Sequence, residues 1–164
     1  MNKTYGTTPI QHGTFEIECN EIMFYQYMPI KMADSLDFKI PDRLKVFTEL
    51  LQKVWLETGL IGSYYYITAK HVYVTPEYWG NRPGYHTDGF GTDDINFIWS
   101  DYNPTIFNIG EFEDITQENH TFSLFEFTEQ AKVENEITFP DKTLLELNSY
   151  VVHKVAPVTI PRFR

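Results

Sequence analysis

From Pro41 to Gly59 the chain reads PDRLKVFTELLQKVWLETG, and Leu44, Phe47, Leu50, Leu51 and Val54 recur at the three- and four-residue spacing of a single helical face. The spacing predicts a helix. Pro41 suits a first turn that needs no amide N–H, Asp42 suits the positive end of the helix dipole, and Gly59 suits the stop. Its apolar stripe is read as packing surface rather than as a binding groove. On either side of this helix the period drops from four to two. GTFEIEC near the start alternates apolar and polar residues and predicts a strand, with EIMFYQYM as its partner. After the helix come SYYYITAKHVYVT, DINFIWS, TFSLFEFTE, ENEITF, TLLELN, VVHKVAPV and PRFR. All are short, rich in β-formers and separated by turn residues such as Pro140-Asp141 and Asn148-Ser149. NIGEFEDITQENH is acidic and without period, and is read as a loop. One helix followed by many short strands predicts a mainly β fold, an antiparallel sandwich or barrel with a helix flanking it.

Composition narrows the class. With 164 residues and no repeat, low-complexity tract or Pro/Gly/Ser-rich linker, the chain is expected to be one domain with its own core. Hydrophobic residues make up 42% and aromatics 16%, which predicts packing rather than disorder. Acidic residues outnumber basic ones by 23 to 13, giving a net charge of −10 that repels polyanions, so nucleic acid is disfavoured as a partner. Cys19 is the sole cysteine, which removes disulfide frameworks and thiolate metal sites and suits a reducing compartment. The first residues lack the apolar core of a signal peptide, and no run reaches membrane-spanning length. The expectation is a cytoplasmic protein with no membrane partner.

The chemistry is concentrated in PGYHTDGFGTDDINFIWSDYNPTIF, where His86 and Asp88 stand two apart just ahead of an apolar run. On a strand, residues i and i+2 share a face, so an imidazole and a carboxylate would converge on one point, as metal ligands must. A third ligand has to come from elsewhere. Of the other four histidines, His12 and His120 lie in polar segments and are read as surface residues. His71 opposes Val72 and Val74 in alternation and is read as a hydrogen-bonded structural residue. His153 closes the apolar run TLLELNSYVVHKVAPV, with Arg162 nine positions on. Two histidines and one carboxylate form the facial triad of non-haem Fe(II) oxygenases, which leaves coordination positions open for cosubstrate and O2.

HTDGF together with FPDKTLLELNSYVVHKVAPVTIPR resembles the 2-oxoglutarate- and Fe(II)-dependent dioxygenases. That resemblance implies a double-stranded β-helix, or jelly roll, over roughly Tyr73 to Arg164, with residues 1–62 as buttressing strands and helix and 63–164 as the catalytic β-core of a single domain. It implies that His86, Asp88 and His153 bind iron and that Arg162 pairs with the far carboxylate of 2-oxoglutarate. Members similar to the taurine dioxygenases place this arginine two residues later, which would select Arg164; Arg162 is preferred here. An arginine suits the task because its planar fork grips a carboxylate with two parallel hydrogen bonds. The family often adds a hydroxyl from a second strand, for which Tyr73, Tyr78 and Thr105 are the candidates, and Asn96 and Trp99 of DINFIWS are placed to line the same cavity.

The implied activity is hydroxylation or a related oxidation, since the halogenases of this superfamily lack the carboxylate ligand that Asp88 provides. The substrate class left by the charge balance is a small molecule or a peptide side chain, entering past the loops PEYWGNRPGY, GFGTDD and NIGEFEDITQENH. Two alternatives stand beside this reading. One is a cupin-like metalloprotein that makes no use of 2-oxoglutarate, and the other is a non-catalytic jelly-roll module for binding or structure.

Overall fold

A computed structural model gives the structure of residues 4–102 and 105–164. The described residues are mainly β, in several antiparallel sheets, with two α-helices. The strands are β1 (Ile10–Thr14), β2 (Met23–Lys31), β3 (Tyr65–His71), β4 (Tyr73–Val74), β5 (Asn96–Ile98), β6 (Ile106–Asn108), β7 (Glu136–Thr138), β8 (Thr143–Leu147), β9 (His153–Lys154) and β10 (Arg162–Phe163). The helices are α1 (Thr48–Thr58), entered through a 3-10 turn over Asp42–Phe47, and α2 (His120–Gln130).

Alternation along the strands sets the layers. On β8, Leu145 and Leu147 pack inward with Ile98, Phe107 and Val151. The preceding Leu144 faces the other way, where Leu50 and Val54 of α1 meet it with Phe97, Trp99 and Tyr65. α1 therefore covers the outer face of the β1-β8-β5 sheet, and Leu44 carries the same cover onto Met23, Ile67 and Ala69 of the β2–β3 ribbon. The helix stops where the sequence indicates. Gly59 takes the left-handed conformation at φ 55° and its N–H bonds the Trp55 carbonyl at 2.8 Å. The facing β7-β6-β9 sheet gives Phe107 and Val151 to the inner core, while its other face, through Val152, packs with Phe127 of α2, Phe112 and Tyr85. Each large apolar side chain so buried contributes about 1.5–3 kcal/mol of transfer free energy.

The pairing is nested. Tyr73 pairs with Phe163, His86 with His153, Phe97 with Glu146 and Phe107 with Ile137. These four pairs join 73–108 to 136–163 in reverse order, while β6 also pairs with β9 through Ile106–Lys154 and Phe107–His153. The pairing brings residues far apart in the chain onto one surface.

Several expectations are corrected. TFSLFEFTE is not a strand but most of α2. The Asn119 side chain accepts from the Thr121 and Phe122 N–H groups at 2.9 and 3.2 Å, a helix cap that outweighs the β preference of the aromatics. The buried positions there are a helical turn apart, Ser123 and Phe127, while Phe122 and Phe125 are exposed. The first strand is Ile10–Thr14, so GTFEIEC contributes only its start. It pairs with β8, whereas β2 pairs with β3. His12 is no free surface residue, since its Nε2 lies 2.7 Å from Glu146 on β8 and its side chain is only 9% exposed.

Candidate metal centre

His86 and His153 are opposite one another across an isolated antiparallel bridge. The His86 N–H donates to the His153 carbonyl and the His153 N–H to the His86 carbonyl, both at 2.9 Å. This pair of hydrogen bonds fixes the two Cα positions and sends both rings to the same side, with ring centroids 4.6 Å apart. Asp88, two residues beyond His86, follows onto that side. One ligand atom from each of His86, Asp88 and His153 lies within 4.8 Å of the others. Glycines shape both flanks of the ligand pair. Gly84 at φ 89° turns the chain into the bridge, and Gly89 at φ 66° turns it away, with space for no added Cβ beyond 3.1 Å from Asp94 and Thr92.

The ring orientations follow from second partners. His86 Nδ1 lies 2.9 Å from the Gly84 carbonyl and His153 Nδ1 lies 3.1 Å from the Val151 carbonyl. A carbonyl oxygen only accepts, so both Nδ1 atoms carry a proton, and each ring when neutral presents its lone pair at Nε2. His153 Nε2 faces Asp88 Oδ2 at 3.5 Å, a gap bridged by a proton on Nε2 or, once that proton is lost, by a cation. Two neutral imidazoles and one carboxylate suit a divalent transition metal, and a backbone carbonyl behind each ligating histidine is the usual way to fix its tautomer.

Protonation supports the same state. Burial holds the His86 pKa below its ordinary value, helped by the neighbouring His153 and opposed by the Gly84 bond and Asp88. For Asp88, burial raises the pKa, but the hydrogen bond and charge offered by a protonated His153, with the charge of His86, outweigh it, and the carboxyl stays below its ordinary value. A neutral histidine and an ionised carboxylate are the forms that bind metal.

The triad opens into a cavity of about 1570 Å³ that runs between the β3 edge and the β5 edge, lined continuously over residues 62–72 and 93–101. Asn96, Phe97, Ile98, Trp99 and, beyond β5, Ser100 all line this space, with Phe97 and Trp99 also packed against Leu50 and Val54 of α1. Buried polar atoms without a partner collect here. They are Thr87 Oγ1, Asn96 Nδ2, Asp141 Oδ1, Thr143 Oγ1 and Arg164 Nη1, and all five residues line the cavity. Each such atom costs about 1–3 kcal/mol unless something bonds it.

The two arginines part company. Arg164 lies in the cavity wall, its Nε donating to Ser100 Oγ at 3.2 Å and its N–H and carbonyl paired with Val72. Burial lowers its pKa while Asp101 and Asp141 act to raise it. Arg162, the residue preferred from the sequence, is exposed, lies outside the cavity lining, and stacks its guanidinium 3.4 Å from the Tyr102 ring centroid. The backbone pairing continues in register from Arg162–Val74 to Arg164–Val72, yet only the Arg164 side chain lines the cavity. Among the remaining candidates, Asn96 and Thr105 line the cavity. Tyr73 and Tyr78 do not; both are more than half exposed, Tyr73 against Phe163 and Tyr78 in a turn with Thr75. Sequence reasoning missed Ser100, Thr143 and Asp141. The signal for Ser100 was available, since Asn96 and Ser100 are polar positions on the period-two face of a segment whose other face is aromatic.

Among the described residues no helix is long and apolar enough to cross a membrane. Comparisons with protein-family models, with curated proteins and with solved structures find no match.

Proposed function

We propose that this protein is an Fe(II)- and 2-oxoglutarate-dependent oxygenase built on a double-stranded β-helix, hydroxylating a small molecule or a peptide side chain. The observation that carries the reading is the pair of imidazoles with Nδ1 tied to backbone carbonyls and Nε2 turned, with Asp88, to one point in a cavity. The nested pairing of 73–108 with 136–163 supports the fold. His86, Asp88 and His153 hold the metal and leave the remaining positions to ligands. The unpartnered Nη1 of Arg164 is a buried donor suited to a carboxylate, which makes Arg164, rather than Arg162, the residue for the far end of 2-oxoglutarate. Thr143 and Asn96 offer a hydroxyl and an amide to the same ligand or to the substrate beside it. When bound, iron and 2-oxoglutarate supply the oxidising chemistry: O2 is split, the cosubstrate becomes succinate and CO2, and the second oxygen atom enters a C–H bond of the substrate. The chain's own part is to fix ligand geometry, keep His86 unprotonated, anchor a carboxylate and shape a partly dry cavity.

The test is an anaerobic Fe(II) titration with and without 2-oxoglutarate. A weak visible charge-transfer band that needs both supports the reading. Iron binding without a response to 2-oxoglutarate favours a cupin-like metalloprotein, and no metal binding at all favours a binding or structural module.

A further inference from the structure

The face of the sheet behind the metal ligands carries a second polar cluster that the proposed chemistry does not use. Because His86 is opposite His153, the preceding Tyr85 is opposite the following Lys154, and alternation sends this second pair to the reverse face. Lys154 Nζ lies 4.3 Å from the Tyr85 ring centroid. Glu136, on β7, reaches both from the far side of β6. Its Oε1 accepts from the Tyr85 hydroxyl at 2.5 Å and from Lys154 Nζ at 2.8 Å. One carboxylate oxygen thus ties the strand of His86 to the strand of His153, each at the residue next to the ligand. Tyr85 is 4% exposed and packed with Phe112, Phe127 and Val152, while the Glu136 and Lys154 side chains are part-buried, about a quarter exposed.

The geometry points to Tyr85, Glu136 and Lys154 as a clamp that positions the two histidine ligands from behind the sheet. The isolated bridge at His86 and His153 is a single pair, with no neighbouring residue pair extending the ladder on the His86 side, so its two backbone bonds alone leave the strands free to twist. A third attachment on the opposite face removes that freedom, because twisting the rings apart would pull Tyr85 from Lys154 and both from Glu136. The inference rests on the metal-site reading, and its test separates the two. Metal-free protein is titrated with Co(II), whose visible bands report ligand geometry, and the thermal midpoint is measured without metal. Outer partners of metal ligands are worth about 10–100-fold in affinity, and a partner acting through the backbone belongs at the low end. Glu136→Ala should bind Co(II) about tenfold more weakly with altered bands. Glu136→Gln, which still accepts from Tyr85, should recover part of the loss. Tyr85→Phe, which removes one hydroxyl and leaves the packing, should show a smaller loss, about threefold, and serves where Glu136→Ala does not fold. A lowered thermal midpoint with Co(II) affinity and bands unchanged would make the cluster structural only and overturn the clamp. Wild-type protein that binds no Co(II) would overturn the metal centre itself, and the clamp with it.

Discussion

At the histidine end of the cavity both ligating rings are held by partners inside the protein, whereas at the arginine end the guanidinium keeps a buried nitrogen unpaired. His86 and His153 each spend one ring nitrogen on a backbone carbonyl and keep the other for a ligand. Arg164 bonds Ser100 through Nε but leaves Nη1 bare, beside the unpartnered Thr143 hydroxyl and Asp141 carboxylate oxygen. The first arrangement is preorganised for a small, directional charge, since nothing has to turn before a metal binds. The second is poised for something larger, with donors and acceptors that only a ligand's own polar groups satisfy. Removing a side chain should therefore have different consequences at the two ends.

The largest effect belongs to the metal end. Asp88→Ala removes the only carboxylate of the triad and leaves the facing His153 Nε2 without its neighbour. Divalent-metal affinity, measured by titration of metal-free protein, should fall at least about a hundredfold, beyond the range typical of outer partners. The far-ultraviolet circular dichroism spectrum should change little, because the two strands are joined by the His86–His153 backbone bonds rather than by Asp88. Retained affinity would show that the point of convergence is not the binding site.

Next comes the arginine end. Arg164→Met should weaken 2-oxoglutarate binding at least about tenfold, as expected for a charge left unpaired in a partly buried site, while metal affinity stays within about twofold. Arg162→Met should do neither, because that guanidinium stacks on Tyr102 outside the cavity. If the two variants exchange behaviour, the anchor is Arg162 after all. If both are silent, the two ends do not share a ligand.

The ends should also respond differently to acid. In the folded protein the His86 pKa lies below its ordinary value, so as pH drops through about 6.5 the unfolded chain takes up a proton that the folded one refuses, and stability falls. The Asp88 pKa is lowered too, so its contribution is present above the ordinary carboxylate range and is lost as pH falls through the folded value. Both groups push in one direction. The thermal midpoint of the metal-free protein should decline between pH 7 and 5, and this decline should shrink in His86→Gln. Arg164 stays charged over that window and contributes no slope.

How much of this was visible in the residues depends on how local the cause is. The spacing of His86 and Asp88 is local, and a later histidine in a buried apolar run completes the set, so the triad was legible. α1 was legible for the same reason, through the stripe from Leu44 to Val54 and the Gly59 stop. α2 was not, because Phe122, Phe125 and Phe127 look like strand residues until the Asn119 cap is weighed. The partners of β1 and β2 were beyond reach for another reason. A strand's neighbour is chosen by the whole sheet, and β1 finds β8 at the far end of the chain. The two arginines could not be separated by alternation, because the β10–β4 ladder continues in register through the Arg164–Val72 bonds; what separates them is that Arg164 lies in the cavity wall while Arg162 stacks on Tyr102.

The smallest effect is the most discriminating between the two ends. Thr143 is 4% exposed and its hydroxyl has no partner, so Thr143→Val exchanges a buried polar group for a methyl of similar size. In the ligand-free protein an unpaired hydroxyl is a cost, and its removal should stabilise the fold by about 1 kcal/mol, measured by denaturant unfolding. If the same hydroxyl bonds the ligand at the arginine end, 2-oxoglutarate or substrate affinity should fall about fivefold, the equivalent of about 1 kcal/mol. The two changes have opposite signs, which ordinary packing damage does not produce. Ligand-free protein that loses stability on Thr143→Val would mean the hydroxyl already has a partner when the cavity is empty. The arginine end would then be as fully satisfied as the histidine end, and the contrast between them would not hold.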